Sequence, residues 1–390
     1  MNPFISLGIA IISAILFGQL MNKFKIPAVA GYVVAGLVIG VSGLKLVDNA
    51  TIEKLGFLSD LALGIIAFNI GSELKFSEIK KLGKPIFIIA LCEALGAFIL
   101  VTGAMLLLKQ NIATALILGA VSSATAPAAT VMVLKECKAK GPLTSTLLGV
   151  VAVDDAICLM IYAMSASVAK VFIKHEVITV SKIIIHPVME IVFSVATGLL
   201  MGVALAYLLK RAKKESELLS LVIGMIILLA GVAIRFNLSP LLSAMAVGVA
   251  IANISSKDKK VFLMMESFSP PIVAAFFVLA GCRLDISLLP KLGIVGAAYL
   301  VVRVIGKISG ASMGGAISKA PETVKKYIGF GLLSQVGVAV GLAIVVSREF
   351  PGTALGSMVI TILLATTIIT EIIGPVATKN AVIRAGEINE

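Results

Sequence analysis

Asp154 and Asp155 are adjacent carboxylates in the middle of Leu143 to Ile173, a stretch otherwise almost wholly apolar. An ionisable group in hydrocarbon costs about 3 kcal/mol or more unless it meets a partner or water, so such residues mark ion and proton pathways. A second apolar stretch, Gly293 to Ile317, carries the opposite sign: Arg303 and Lys307, four residues apart and so on one helical face. Neighbours on a helix point about 100° apart, so the two aspartates need different partners, and this basic face can supply one. Buried carboxylates facing a buried ammonium can trade a proton for a bound cation. Arg303, nearer one end of its stretch, has the option of snorkelling to the interface; Lys307, about midway, does not.

Two other stretches have unusual backbone chemistry. Ser122-Ser123-Ala124-Thr125-Ala126-Pro127-Ala128 places a proline after hydroxyls in mid-span. Proline removes a helical hydrogen bond and disfavours helical geometry at Ala126. Ser334-Gln335-Val336-Gly337-Val338-Ala339-Val340-Gly341 weakens a later span with two glycines and a polar pair. Irregular backbone at membrane depth survives only against protein or a water-filled cavity. Interrupted spans at corresponding positions of two halves point to a transporter built from inverted repeats.

The elements that must position these residues follow from composition. The 390 residues are 59% hydrophobic and 14% charged, with a mean hydropathy of +1.10, which describes an all-α polytopic membrane protein. Runs long enough to cross ~30 Å of hydrocarbon fall at 3–22, 27–45, 56–74, 85–108, 112–134, 143–173, 188–209, 218–234, 239–254, 262–281, 288–317, 327–347 and 353–377, predicting 13 transmembrane helices. The two interrupted spans are the fifth and twelfth; an odd offset makes them run in opposite directions. Connections and span ends on one side carry 21 Lys and Arg against 10 on the other. The positive-inside rule then puts the N-terminus outside and the C-terminus in the cytoplasm of a cell membrane. The net charge of +12 lies mostly in those short clusters, so the partner is the lipid bilayer and not nucleic acid. Four unclustered cysteines support neither disulfides nor a thiolate metal site. The first apolar run lacks a basic lead and a clear cleavage site, so it reads as a retained helix, and no connection is long enough for a soluble domain.

Further pieces stand in order around these residues: Pro27-Ala28-Val29-Ala30-Gly31-Tyr32 leading to Gly36 and Gly40 in the second span, Thr125-Ala126-Pro127 in the fifth and Asp154-Asp155 in the sixth. Arg303-Val304-Ile305-Gly306-Lys307 follows in the eleventh, Gln335-Val336-Gly337-Val338-Ala339 in the twelfth and Glu371-Ile372-Ile373-Gly374-Pro375 in the thirteenth. With these the chain resembles, over essentially its whole length, the cation:proton antiporter-2 family, the sodium/proton antiporters and their potassium-efflux relatives. The resemblance implies an inverted-repeat antiporter fold with two crossed discontinuous helices. It also implies a core domain of about 85–174 and 288–378, a dimerisation domain of about 1–74 and 218–281, a linker helix at about 188–209, and a homodimer. Asp155 would alternately hold a cation and a proton, Asp154 would pair with Lys307, and Thr125 with carbonyls around Ala126 would help coordinate the ion. Ser123, Arg303 and Gln335 are supporting candidates. Glu73, Glu93 and Glu371, at or within spans, would tune the ion path or the pH response, or serve structure. Electroneutral relatives often have an uncharged residue where this chain has Asp154, so the expectation is electrogenic exchange, two H+ per Na+.

Nothing calls for a cofactor beyond the transported ions, and no enzyme activity is expected. An intramembrane aspartyl protease needs facing aspartates from separate helices, usually with GxGD; these are adjacent and no GxGD occurs. Potassium-efflux relatives usually carry a nucleotide-binding domain, and no GxGxxG follows a strand here. Na+, Li+ and K+ all remain candidate ions, and a sodium-coupled organic-anion symporter is the alternative that shares this architecture. His175 and His186 read as solvated residues of an external loop.

Overall fold

Proline and glycine decide where the helices of this chain start, bend and stop. The computed structural model describes residues 2–23, 28–173, 185–282, 289–350 and 353–388, which contain helices and no strand. The first four helices are α1 (Pro3–Lys23), α2 (Ala28–Ile39), the short α3 (Asn49–Lys54) and α4 (Gly56–Glu73). α5 (Phe76–Leu107) is interrupted at Gly83, whose φ of 77° suits glycine alone, so its membrane part starts just ahead of Pro85. α6 (Ile112–Ser122), α7 (Pro127–Glu136), α8 (Pro142–Ile173), α9 (His186–Arg211), α10 (Glu215–Arg235) and α11 (Pro240–Ile254) follow. Then come α12 (Asp258–Phe268), α13 (Pro270–Cys282), α14 (Leu289–Ile317), α15 (Glu322–Tyr327) with a 3-10 turn to Leu332, α16 (Gly337–Glu349) and α17 (Ala354–Arg384).

Each of the thirteen predicted runs falls on one of these helices or across one break. Among the described residues, six helices are long and apolar enough to cross a membrane, or nine if each bent pair is one span; Gly56–Ser72, Ile112–Ser122 and Pro240–Ile254 are shorter apolar helices. Two boundaries differ from the sequence reading. The second run leaves the helix at Ile39, because the chain folds back there: Leu44 N–H donates to the Val38 carbonyl (2.7 Å) and Lys45 adopts a φ of 54°. The tenth run is bent by 49° between α12 and α13, where Pro270 and Pro271 lack the N–H groups a continuous helix needs.

The exterior is apolar as well as the core, and several charged groups are buried. Leu107 is 86% exposed and Ile294 77%, whereas Glu93, Arg303 and Lys307 are fully enclosed. With lipid as solvent, apolar side chains gain little from facing inward, and helices associate through small residues instead. α2 meets α13 where a Cβ on Gly36 would stand 2.8 Å from Gly281 Cα; α4 meets α11 where a Cβ on Gly71 would stand 2.8 Å from Gly248 Cα. Counted by runs these are pairs two with ten and three with nine, which an offset of seven exchanges. α5 and α14, runs four and eleven, exchange with each other under the same operation and pack along their length. Repeated contact geometry thus supports the inverted repeat independently of the breaks.

One tie closes the end where α8 begins and α17 ends. The Glu387 carboxylate accepts from Leu143 N–H (2.6 Å), Thr144 N–H (2.8 Å) and the Thr144 hydroxyl (2.8 Å), capping α8. The favourable helix-end charge is added to those bonds. Glu387→Ala is expected to cost about 1–2 kcal/mol, read as a lower melting temperature in detergent; an unchanged value would show that the cap contributes nothing.

Candidate ion-binding site

α8 runs unbroken past Asp154 and Asp155, which are 1% and 6% exposed. Beside it the fifth span stops at Ser122 and restarts at Pro127, leaving residues 123–126 outside any helix. In the twelfth span residues 333–336 are likewise non-helical, and the two arms diverge by 49°. The two breaks satisfy one another. Ala126 N–H donates to the Ser334 carbonyl (2.9 Å), the Thr130 hydroxyl to the Gly331 carbonyl (2.7 Å) and the Gln335 amide to the Val121 carbonyl (2.9 Å). These bonds make the pair of discontinuous helices a cross, and they answer the requirement that no backbone polar group be left bare at membrane depth.

α14 presents Tyr299, Arg303 and Lys307 at intervals of four, one stripe aimed at the cross. Arg303 does not snorkel. Its guanidinium donates to Ser122 O (3.1 Å), Leu333 O (2.7 Å) and Ala124 O (2.8 Å), tying both breaks together. The carbonyls exposed at the end of a helix carry partial negative charge, which is why a buried cation is held there. Tyr299 meets the Gln335 amide at 3.0 Å. The ammonium of Lys307 donates to the Ser123 carbonyl and to Thr125 Oγ1 (2.7 Å), and stands 2.7 Å from Glu93 Oε2 and 3.5 Å from Asp154 Oδ2.

The structure therefore brings Ser123, Thr125, Asp154 and Lys307 together, sets Asp155 beside them on α8, and places Ala126, Arg303 and Gln335 in the cross. Glu371 is 1% exposed, one turn from Gly374, where α17 meets Ser334. The side chain of Glu73 and all of His175 lie outside the described residues; His186 is exposed. Tyr299 escaped the sequence reading although its spacing to Arg303 and Lys307 carried the signal. The weight of Glu93 also escaped it: only the packing of α5 on α14 aims this carboxylate at Lys307.

A cavity of about 590 Å3 opens between α4, α10, α11 and α16, with Asp60, Arg348 and Glu349 in its wall. Arg348 forms an ion pair with Asp60 across it. A separate small space of about 10 Å3 lies among Leu63, Leu159, Leu241, Val338 and Leu342, sharing Leu63 and Leu241 with the cavity wall. Leu159 lies one turn beyond Asp155 on the same face of α8.

A buried carboxylate pair beside two mutually bonded helix breaks and a buried ammonium defines a multi-pass membrane transporter of the inverted-repeat kind. The chain belongs to the sodium/hydrogen exchanger family, whose transmembrane model matches residues 9–379. It is 24% identical over 372 residues to the high-affinity Na+/H+ antiporter NhaS3 of Synechocystis sp., covering 84% of this chain and 79% of that one. It is 22% identical over 352 residues to the ammonium/H+ antiporter subunit AmhT of Alkalihalophilus pseudofirmus, covering 88% and 84%. The fold is shared with the sodium proton antiporter MjNhaP1 of Methanocaldococcus jannaschii at a TM-score of 0.79 and 16% identity, covering 100% of both chains.

Proposed function

We propose that the chain exchanges cytoplasmic Na+ for external H+ across the cell membrane by alternating access, moving two H+ per Na+. The observation that carries this reading is the buried Asp154-Asp155 pair set against Lys307 and Thr125 at the crossed breaks. Asp155 takes the cation or a proton, and Thr125 Oγ1 with carbonyls around Ala126 completes an oxygen site suited to a hard cation. Asp154, facing Lys307, accounts for the second proton. Because binding of one ion requires release of the other, a single site visited alternately from the two sides couples their movements.

The moving parts in this reading are a core of α5–α8 and α14–α17 and a dimerisation domain of α1–α4 and α10–α13, with α9 as linker. Its support is that helices of each set pack chiefly within the set. The homodimer and the outside location of the N-terminus belong to the same proposal.

The test is voltage. In proteoliposomes, sodium-driven proton movement through a two-proton exchanger generates a membrane potential and is accelerated or stalled by an imposed one. Exchange that neither generates nor responds to voltage rules the stoichiometry out. Replacing NaCl by KCl or LiCl in that assay names the ion, and a requirement for an organic solute would move the chain to the symporter class.

A further inference from the structure

We infer that Glu93, and not Asp154, is the resident counter-ion of Lys307, and that it acts as a positioning residue of the exchange site; this rests on the ion-binding role proposed above. Three observations carry it. First, distance: the ammonium is 2.7 Å from Glu93 Oε2 and 3.5 Å from Asp154 Oδ2, with all three side chains at most 1% exposed. An ammonium has three N–H groups; the Ser123 carbonyl and Thr125 Oγ1 take two, and Glu93 Oε2 meets the ammonium as an ion pair.

Second, rigidity. Glu93 and Lys307 ride on helices that touch backbone to backbone: a Cβ on Gly310 would stand 2.9 Å from Glu93 Cα, and one on Gly96 would stand 2.7 Å from the Gly306 carbonyl oxygen. Asp154 approaches from a different helix, α8. The Glu93–Lys307 pair is thus fixed within one helix pair, whereas the contact to Asp154 depends on how α8 lies against it.

Third, charge. Arg303 is committed to three backbone carbonyls, and the Glu93 carboxyl meets Lys307 on one side and the Asp154 carboxyl on the other. A carboxylate buried this way is costly unless a cation stays beside it. Drawing Lys307 toward Glu93 on α5 keeps the ammonium from closing on the aspartate pair, where it would repel an incoming cation. Lys307 is then a fixed wall of the site.

The test is a pair of double-mutant cycles on the purified full-length chain, read as melting temperature: Glu93→Gln with Lys307→Gln, and Asp154→Asn with Lys307→Gln. The expected result is a larger coupling for Glu93 than for Asp154, with Glu93→Asp in the same cycle should Glu93→Gln not fold. In proteoliposomes Glu93→Gln is expected to raise the sodium concentration for half-maximal exchange about tenfold, and Glu93→Asp to recover most of that loss, which a merely structural role would not produce. A larger coupling for Asp154, or wild-type sodium dependence in Glu93→Gln, overturns the inference. The thermal couplings need no transport, and the exchange-site reading stands or falls separately on Asp155→Asn.

Discussion

Asp155→Asn is expected to abolish sodium-driven proton movement in proteoliposomes while the protein still folds. Asn keeps the shape of Asp but carries no charge and cannot bind a transported proton. A sodium ion entering a site enclosed to this degree loses most of its water, and without a full countercharge the loss is not offset. Removing one partner of a buried charge pair costs about 3–5 kcal/mol, equivalent to roughly 100- to 1,000-fold or more in occupancy. The measurement is dequenching of a pH-gradient dye on adding NaCl, LiCl or KCl, with wild type beside the variant. A wild-type response from Asp155→Asn would remove this residue from the centre of the mechanism. Silence of wild type toward every cation would leave the organic-anion symporter as the reading to test.

The second large effect belongs to Arg303. Arg303→Leu removes three N–H donors and strands the carbonyls of Ser122, Ala124 and Leu333 in the cross. Each buried orphan costs about 1–3 kcal/mol, a large part of the 5–15 kcal/mol that typically holds a domain together. The expected result is a melting temperature lower by roughly 10 °C or more, or no monodisperse protein. Arg303→Lys rescues little, because a point ammonium lacks the planar fork that reaches three acceptors in two segments. A wild-type melting temperature for Arg303→Leu would mean that the cross holds itself together through Ala126, Thr130 and Gln335 alone.

What could be read from the sequence was what has a local signal. The all-helical membrane fold follows from the length of apolar runs, the break at residues 123–126 from Pro127, and the ion-binding candidates from ionisable groups where lipid forbids them. The bend at Ser269 also had its signal, in Pro270-Pro271, but tandem prolines beside a helix start read equally well as a boundary. Legibility failed where the answer depended on which helix faces which. Nothing along the chain says that Glu93 lies closer to Lys307 than Asp154 does, since that follows from glycine contacts between α5 and α14. Arg303 looked free to reach the interface; the carbonyls that hold it inside come from two breaks far away in sequence.

The apolar layer of Leu63, Leu159, Leu241, Val338 and Leu342 has an electrical consequence. Water entering the 590 Å3 cavity would be a good dielectric, and a layer of leucine side chains is a poor one, so a transmembrane potential would fall mainly across the layer and not across the cavity. The full field would then act over a few ångströms next to Asp155, with each elementary charge that crosses it worth about 2.3 kcal/mol per 100 mV. The same layer interrupts any file of waters along which protons could hop. On the proposed two-proton reading, a membrane potential would act on the exchange at this layer, with no proton leak through it.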